Sequence, residues 1–294
     1  MPGPRPCWVG SPRSDSRKAC KRRSSGFARS KPRIGWQRRA LEIMRILFLS
    51  SVFPHPQAPT RGIYSLHLCK ALAVEHQVQV VAPRSWVDVT RGLLAGKRCN
   101  AGQANATADG LAVTYPCYYY PPKVLRGLHA SLMWASVRRR VCRLAARFQP
   151  DCVLSYWVYP DGAAALRAAR HLGVPGMVMV GGSDVLLLTQ QAAWRRRILD
   201  VLHDADAVIT VGQDLKTRLV ELGIGPEKVH LVPRGVDTEL FKPGDRTLAR
   251  RRLQIPANAR VLLWVGRMVE IKGLDVLLAA AERLYQHQLD LRIY

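Results

Sequence analysis

The sequence predicts an α/β protein with parallel sheets, on three observations. Short apolar runs recur along the chain, segments of helical period separate them, and Gly, Pro and polar clusters close most runs. Met44 is followed by RILFLSS, a first strand over 45–51. Further strands are expected over 78–83, 111–116, 152–156, 176–181, 206–211 and 229–233, with helices between most of them. The stretch from Arg84 to Gly110 breaks this rhythm with Gly, Asn and Ala and is expected to be a mobile loop. Tyr115 to Pro122, YPCYYYPP, reads as a packing turn in preference to an acceptor-facing loop. Near the end, Val261 to Val265 is uninterrupted apolar, as for a strand covered on both faces. Leu274, Leu277, Leu278, Ala281, Leu284 and Tyr285 then recur at helical spacing.

The chain has 294 residues and 48% hydrophobic content, enough for one or two cored domains, which excludes disorder throughout. Its net charge is +24, and residues 1–43 hold twelve Lys or Arg against two acids. That opening stretch has no sustained apolar periodicity and is expected to be a disordered basic extension, or an overextended start before Met44. An N-terminal domain is expected over 44–235, a polar linker with a short basic helix over 236–259, and a second domain over 260–294. About 35 residues fall short of the roughly 50 that a domain usually needs, so the second domain is expected to be incomplete. No apolar run approaches the roughly 18 residues of a membrane span. The seven cysteines form no C-x-x-C pair and read as reduced thiols, neither zinc site nor disulfide framework.

The run VLLWVGRMVEIKGLDVLL carries the strongest chemistry. Gly266 ends the strand, and Arg267 and Lys272 stand in the loop before a helix. Unpaired N–H groups and the positive end of the dipole favour an anion there. Arg267 adds a planar fork and Lys272 a mobile point charge, which suits a diphosphate. From these residues alone, ordinary solvated loop cations are as good a reading.

With the upstream segment DADAVITVGQDLKTRLVELGIGPEKVHLVPRGVDTELFKP, this run resembles glycosyltransferase family 4. The members of that family are retaining nucleotide-sugar transferases with two Rossmann-like parallel-sheet domains, the GT-B fold. The resemblance extends from Met44 to Tyr294 and is most specific over Ala205 to Asp275. It implies that Gly266, Arg267 and Lys272 meet the donor diphosphate, the two cations acting in catalysis. Gly62 would approach the donor as well, although the family's usual glycine pair is Arg61-Gly62 here. Gly182, Ser183 and Asp184 would contact acceptor or sugar, and Gly181 stands where many relatives carry a histidine. The implied partners are a nucleotide sugar and a glycan or lipid-linked acceptor, with no metal and no other cofactor, and the charge pattern argues for no nucleic acid. The reduced thiols point to a cytoplasmic setting, in which the arginine triplets could hold the chain peripherally at the inner face of the membrane. The family's acidic motif, two glutamates separated by seven residues, is absent from the second domain, so the chain as given is expected to be inactive.

His55 and His67 are poor acid–base candidates, one in a proline-rich loop and one on the first helix. Asp161 shares a loop with Trp157 and Tyr159 after the 152–156 strand, where Trp157 reads as core packing rather than a sugar platform. Asp204-Ala205-Asp206 matches a metal-binding D-x-D only superficially. Arginine triplets at 138–140, 195–197 and 250–252 read as solvated helix faces that could also meet an anionic membrane surface. The rival function is a basic module binding membrane or nucleic acid without catalysis, although no aromatic-basic interleaving accompanies the charge. A sugar-nucleotide epimerase on the same fold is the third reading.

Overall fold

A computed structural model describes residues 42–96, 106–108, 110–122, 124–266, 268–285 and 291–294. The expected extension over 1–43 therefore lies almost wholly outside the described residues. The chain divides after Pro233 into two compact units, one ending there and one spanning Arg234–Tyr294.

The first unit is an α/β layer structure. Strand β1 (Arg45–Leu49) leads through helix α1 (Ile63–Leu72) to β2 (Gln77–Val81), then β3 (Arg84–Ser85) and helix α2 (Trp86–Leu94). β4 (Ala106–Ala108), β5 (Leu111–Thr114) and β6 (Cys117–Tyr118) follow, and the long α3 (His129–Phe148) returns to β7 (Cys152–Tyr156). Then come α4 (Ala163–Leu172), β8 (Gly176–Met179), the one-turn α5 (Ser183–Leu186), α6 (Ala192–Asp204), β9 (Ala207–Thr210), α7 (Gln213–Glu221) and β10 (Val229–Leu231). The sheet order is β10-β9-β8-β7-β1-β2-β5-β4, all parallel except β4, which runs antiparallel to β5. The order reverses between β1 and β7, and open α/β sheets bind ligands beyond the carboxyl ends of strands at such a point.

Period-two alternation divides the core. Ile46 and Phe48 of β1 face Leu66 and Cys69 of α1, while Leu47 and Leu49 meet Met133, Val137 and Val141 of α3 on the opposite face. Alanines 164, 165, 168 and 169 of α4 lie in that second layer, their small side chains letting helix and sheet approach closely.

The stretch from Arg84 to Gly110 is corrected from loop to partly regular structure. Ser85 caps α2 by accepting the Asp88 N–H at 3.0 Å, and the Trp86 indole donates to the Tyr120 carbonyl at 2.8 Å. β4 then covers the edge of β5, and residues 97–105 lie outside the described set. Tyr115 and Tyr118 are buried, and the Tyr115 hydroxyl donates to the Pro54 carbonyl at 2.8 Å, so this segment packs as expected.

In the second unit, α8 (Arg246–Arg252) is capped by Asp245, whose carboxylate accepts from Thr247 and Leu248 N–H at 2.7 and 3.2 Å. Arg250, one of the triplet arginines, donates to the carbonyls of Pro256, Ala257 and Ala259 and so organises the turn after its helix. β11 (Arg260–Leu262) pairs in parallel with β12 (Leu291–Ile293), and α9 (Leu274–Tyr285) lies between them in sequence. The expectation of a strand buried on both faces is corrected here. β11 ends at Leu262, and Leu263 and Val265 are 72% and 85% exposed, because the unit offers two strands and α9 as cover. Ala281 of the expected stripe is buried, whereas Leu278 and Tyr285 are exposed.

Candidate functional site

The loop from β1 to α1 turns on Gly62. Its φ is +68°, and a Cβ there would lie 2.3 Å from the Val52 carbonyl oxygen, inside any tolerable contact. Only glycine satisfies both demands, and Gly62 then starts α1 with Ser65 and Leu66 N–H bonded to its carbonyl. The sequence reading left open whether this glycine served a ligand or the chain. The geometry shows a need of the chain itself.

Two buried aspartates join the neighbouring loops. The Asp161 carboxylate, following β7, accepts the backbone N–H of Ser51, following β1, and so bridges the point where the strand order reverses. Asp161 is 1% exposed, and burial raises its carboxyl to about 6 despite the hydrogen bonds from Ser51. Asp184, at the start of α5, is fully buried and accepts N–H groups of Gly181, Gly182 and Val185, with Val158 N–H reaching it at 3.2 Å from the β7 loop. Burial raises its carboxyl too, against those backbone donors. Four donors fill the acceptor capacity of one carboxylate, so Asp184 organises the turn. Gly182, at φ +105° with open space where a Cβ would be, and the exposed Ser183 form the accessible part of that turn.

Trp157 explains Gly181. A Cβ at Gly181 would lie 2.7 Å from the Trp157 ring and 2.8 Å from the Tyr156 hydroxyl. Trp157 itself has φ +80° and packs against the core layer of Phe48 and Leu66. An imidazole at 181 and this ring position are mutually exclusive.

Contacts thus link Gly62, through Val52 and Ser51, to Asp161, and link the β7 loop to the Gly182–Asp184 turn. Asp161 was noticed in the sequence only as a loop residue. Its reach to Ser51, 110 positions away, leaves no local signal. His55 is lowered to about 4 by burial and by Arg84 and Arg61, so it is neutral near pH 7. His67 is exposed on α1. The D-x-D pair is structural: Asp204 pairs with Arg170 at 2.9 Å, and Asp206 accepts Gly176 N–H at 2.8 Å. Among the described residues no cluster of metal-binding side chains occurs.

In the second unit, Lys272 is exposed at the end of a 3-10 turn, Glu270–Lys272, with Gly273 in the left-handed region just before α9. The indole of Trp264 donates to the Lys272 carbonyl at 3.2 Å, and its ring would lie 3.0 Å from a Cβ at Gly266. One tryptophan therefore braces both ends of this loop. Arg267 lies outside the described residues.

The Glycosyltransferase Family 4 profile matches residues 62–240, from the glycine that opens α1 to beyond β10. The chain belongs to Glycosyltransferase Family 4. A D-inositol 3-phosphate glycosyltransferase of Catenulispora acidiphila is 37% identical over 131 residues, covering 44% of this chain and 31% of that protein. Sucrose-phosphate synthase of Thermosynechococcus elongatus superposes with a TM-score of 0.59 at 17% identity, over 81% of this chain and 59% of that one. HepE of Anabaena, in complex with UDP and glucose, gives 0.55 at 15% identity, over 85% and 60%. The chain spans about a third of the curated relative and about 60% of these structures. The structural likenesses bear out the expected GT-B type α/β fold. Among the described residues no helix is long and apolar enough to cross a membrane.

Proposed function

We propose that the protein is a glycosyltransferase moving a hexose from a nucleotide sugar to a hydroxyl of a glycan or lipid-linked acceptor, with retention of configuration and without a metal. The observation that carries this reading is the family match over 62–240, which spans the Gly62 turn and the Gly182–Asp184 turn at the reversal of strand order. The solved structure holding UDP and glucose supports a nucleotide-sugar donor.

In this reading Gly182 and Ser183 form a backbone-rich surface on which substrate oxygens lie close, while Gly62 fixes the turn from β1 into α1 and Asp161 and Asp184 hold the loops in register. Negative charge grows on the diphosphate as its bond to the sugar breaks. Lys272, Arg267 and the first N–H groups of α9 stabilise that charge, with Gly266 admitting the phosphate to the loop. Losing one such preorganised contact costs about 2.7–4 kcal/mol of transition-state stabilisation. The arginine-rich helices hold the enzyme against an anionic membrane surface on its cytoplasmic side, at about 1 kcal/mol per well-placed cation.

The test is sugar transfer by the intact protein with a panel of nucleotide sugars and a phosphorylated polyol or glycan acceptor. Arg267→Ala is expected to lower kcat/KM about 100-fold or more. Near-normal turnover by that variant removes Arg267 from the mechanism. Release of a free sugar epimer in place of a glycoside would favour the epimerase reading.

A further inference from the structure

Helix α3 begins with His129 beside the carboxyl ends of the strands and ends where β7 begins, at the opposite edge of the sheet. Its second half carries Arg140, Arg143 and Arg147 at spacings of three and four, which places them on one helix face. These arginines and Leu144 wall a cavity of 690 Å³ whose remaining lining includes Gln79 of β2 and Thr114 of β5. The concavity has a structural cause. Val81 is fully buried under α3, whereas Gln79, two residues earlier on the same strand face, is only partly covered, so apolar cover ends between them.

Among the described residues no carboxylate lines this cavity. Arg143 and Arg147 make no ion pair with any described residue. Arg147 lies in the last turn of α3, where the helix dipole favours a cation, but that field fades within a turn and does not reach Arg140. The guanidinium groups of Arg143 and Arg147, one turn apart, repel each other, and a multivalent anion that accepts hydrogen bonds from both removes that repulsion. A plain solvated face would need no concavity. Here the cations share one cavity with Gln79, whose amide Nε2 donates to the Ala112 carbonyl at 2.8 Å, with Thr114 and with Leu144.

We propose that this groove is a binding site for a phosphate ester, separate from the Gly62 and Gly182–Asp184 turns, none of whose residues line it. The arginines take the phosphate oxygens and Leu144 meets the carbon skeleton of the ester. A soluble phosphomonoester and a phospholipid headgroup share this chemistry. The inference stands independently of the transfer reading.

The experiment uses the 294-residue chain and two probes, sn-glycerol 3-phosphate in solution and phosphatidylcholine vesicles containing phosphatidylglycerol. Binding is followed by calorimetry or co-sedimentation, and the site is located by hydrogen-exchange protection. The paired variants are R143Q/R147Q in the groove and R91Q/K216Q on α2 and α7, outside the arginine-rich helices, which removes the same charge. The expected result is at least a tenfold loss of affinity for one or both probes in R143Q/R147Q, less than twofold loss in R91Q/K216Q, and protection over residues 140–148. Loss with glycerol phosphate assigns a soluble ester, and loss confined to vesicles assigns a lipid headgroup. Equal losses in both variants, binding without protection of α3, or no binding of either probe would overturn the proposal.

Discussion

The carboxylate of Asp161 accepts the backbone N–H of Ser51, joining the loop after β7 to the loop after β1 across the reversal of strand order. Gly62 presses on the carbonyl of Val52 one residue further along the same loop. The floor of the candidate site is therefore held by a buried charge and a close backbone contact.

Asp161 makes stability depend on pH in a defined direction. Its carboxyl titrates at about 6 in the folded chain, burial being the main cause, against roughly 3.9 when unfolded. A raised carboxyl binds its proton more tightly in the folded state. The stabilisation is therefore full below about pH 4 and is lost as pH rises through 6, by about 3 kcal/mol in all. Asn at this position can still accept from Ser51 but does not titrate. The unfolding free energy of the natural chain minus that of Asp161→Asn should fall by that amount between pH 4 and pH 7 in urea titrations. A constant difference would show that Asp161 does not titrate in this window.

Gly62→Ala should destabilise the first unit by at least about 2 kcal/mol, because alanine meets both a left-handed φ and the Val52 carbonyl. Gly223→Ala is the control, since its φ is also positive but nothing lies within 4 Å of its Cβ position. Denaturation midpoints that shift equally in both variants would mean that the Val52 contact adds nothing.

Gly181→His should be destabilising, because Trp157 fills the space. Combined with Trp157→Ala the cost should be less than additive, with a coupling of roughly 0.5–3 kcal/mol by double-mutant cycle. Additive effects would show that the ring already yields.

The strands were legible because a parallel sheet covered on both faces imposes continuous apolar runs such as residues 46–49 of β1 and 152–154 of β7. Helix α2 was misread as loop, although Ser85 three residues before Asp88 was a readable cap. Glycine and threonine within it hid the period. The exposure of Leu263 and Val265 could not be read from local sequence, because an apolar run records what could be buried and only the neighbouring strands decide what is. Legibility within the candidate site was uneven for the same reason. Gly62 and the Gly182–Asp184 turn stood out as local patterns, whereas the Asp161 bridge and the displacement of any side chain at 181 by Trp157 are tertiary facts.

We propose that Arg267, Lys272 and the N-terminus of α9 hold the donor diphosphate. Hydrogen-exchange protection by UDP and by other nucleoside diphosphates tests it most directly, read peptide by peptide on the natural chain and on Arg267→Ala and Lys272→Ala. The account predicts protection over residues 266–276 that weakens at least tenfold in nucleotide affinity in either variant. Nucleotide binding that leaves 266–276 unprotected and survives both substitutions would contradict it.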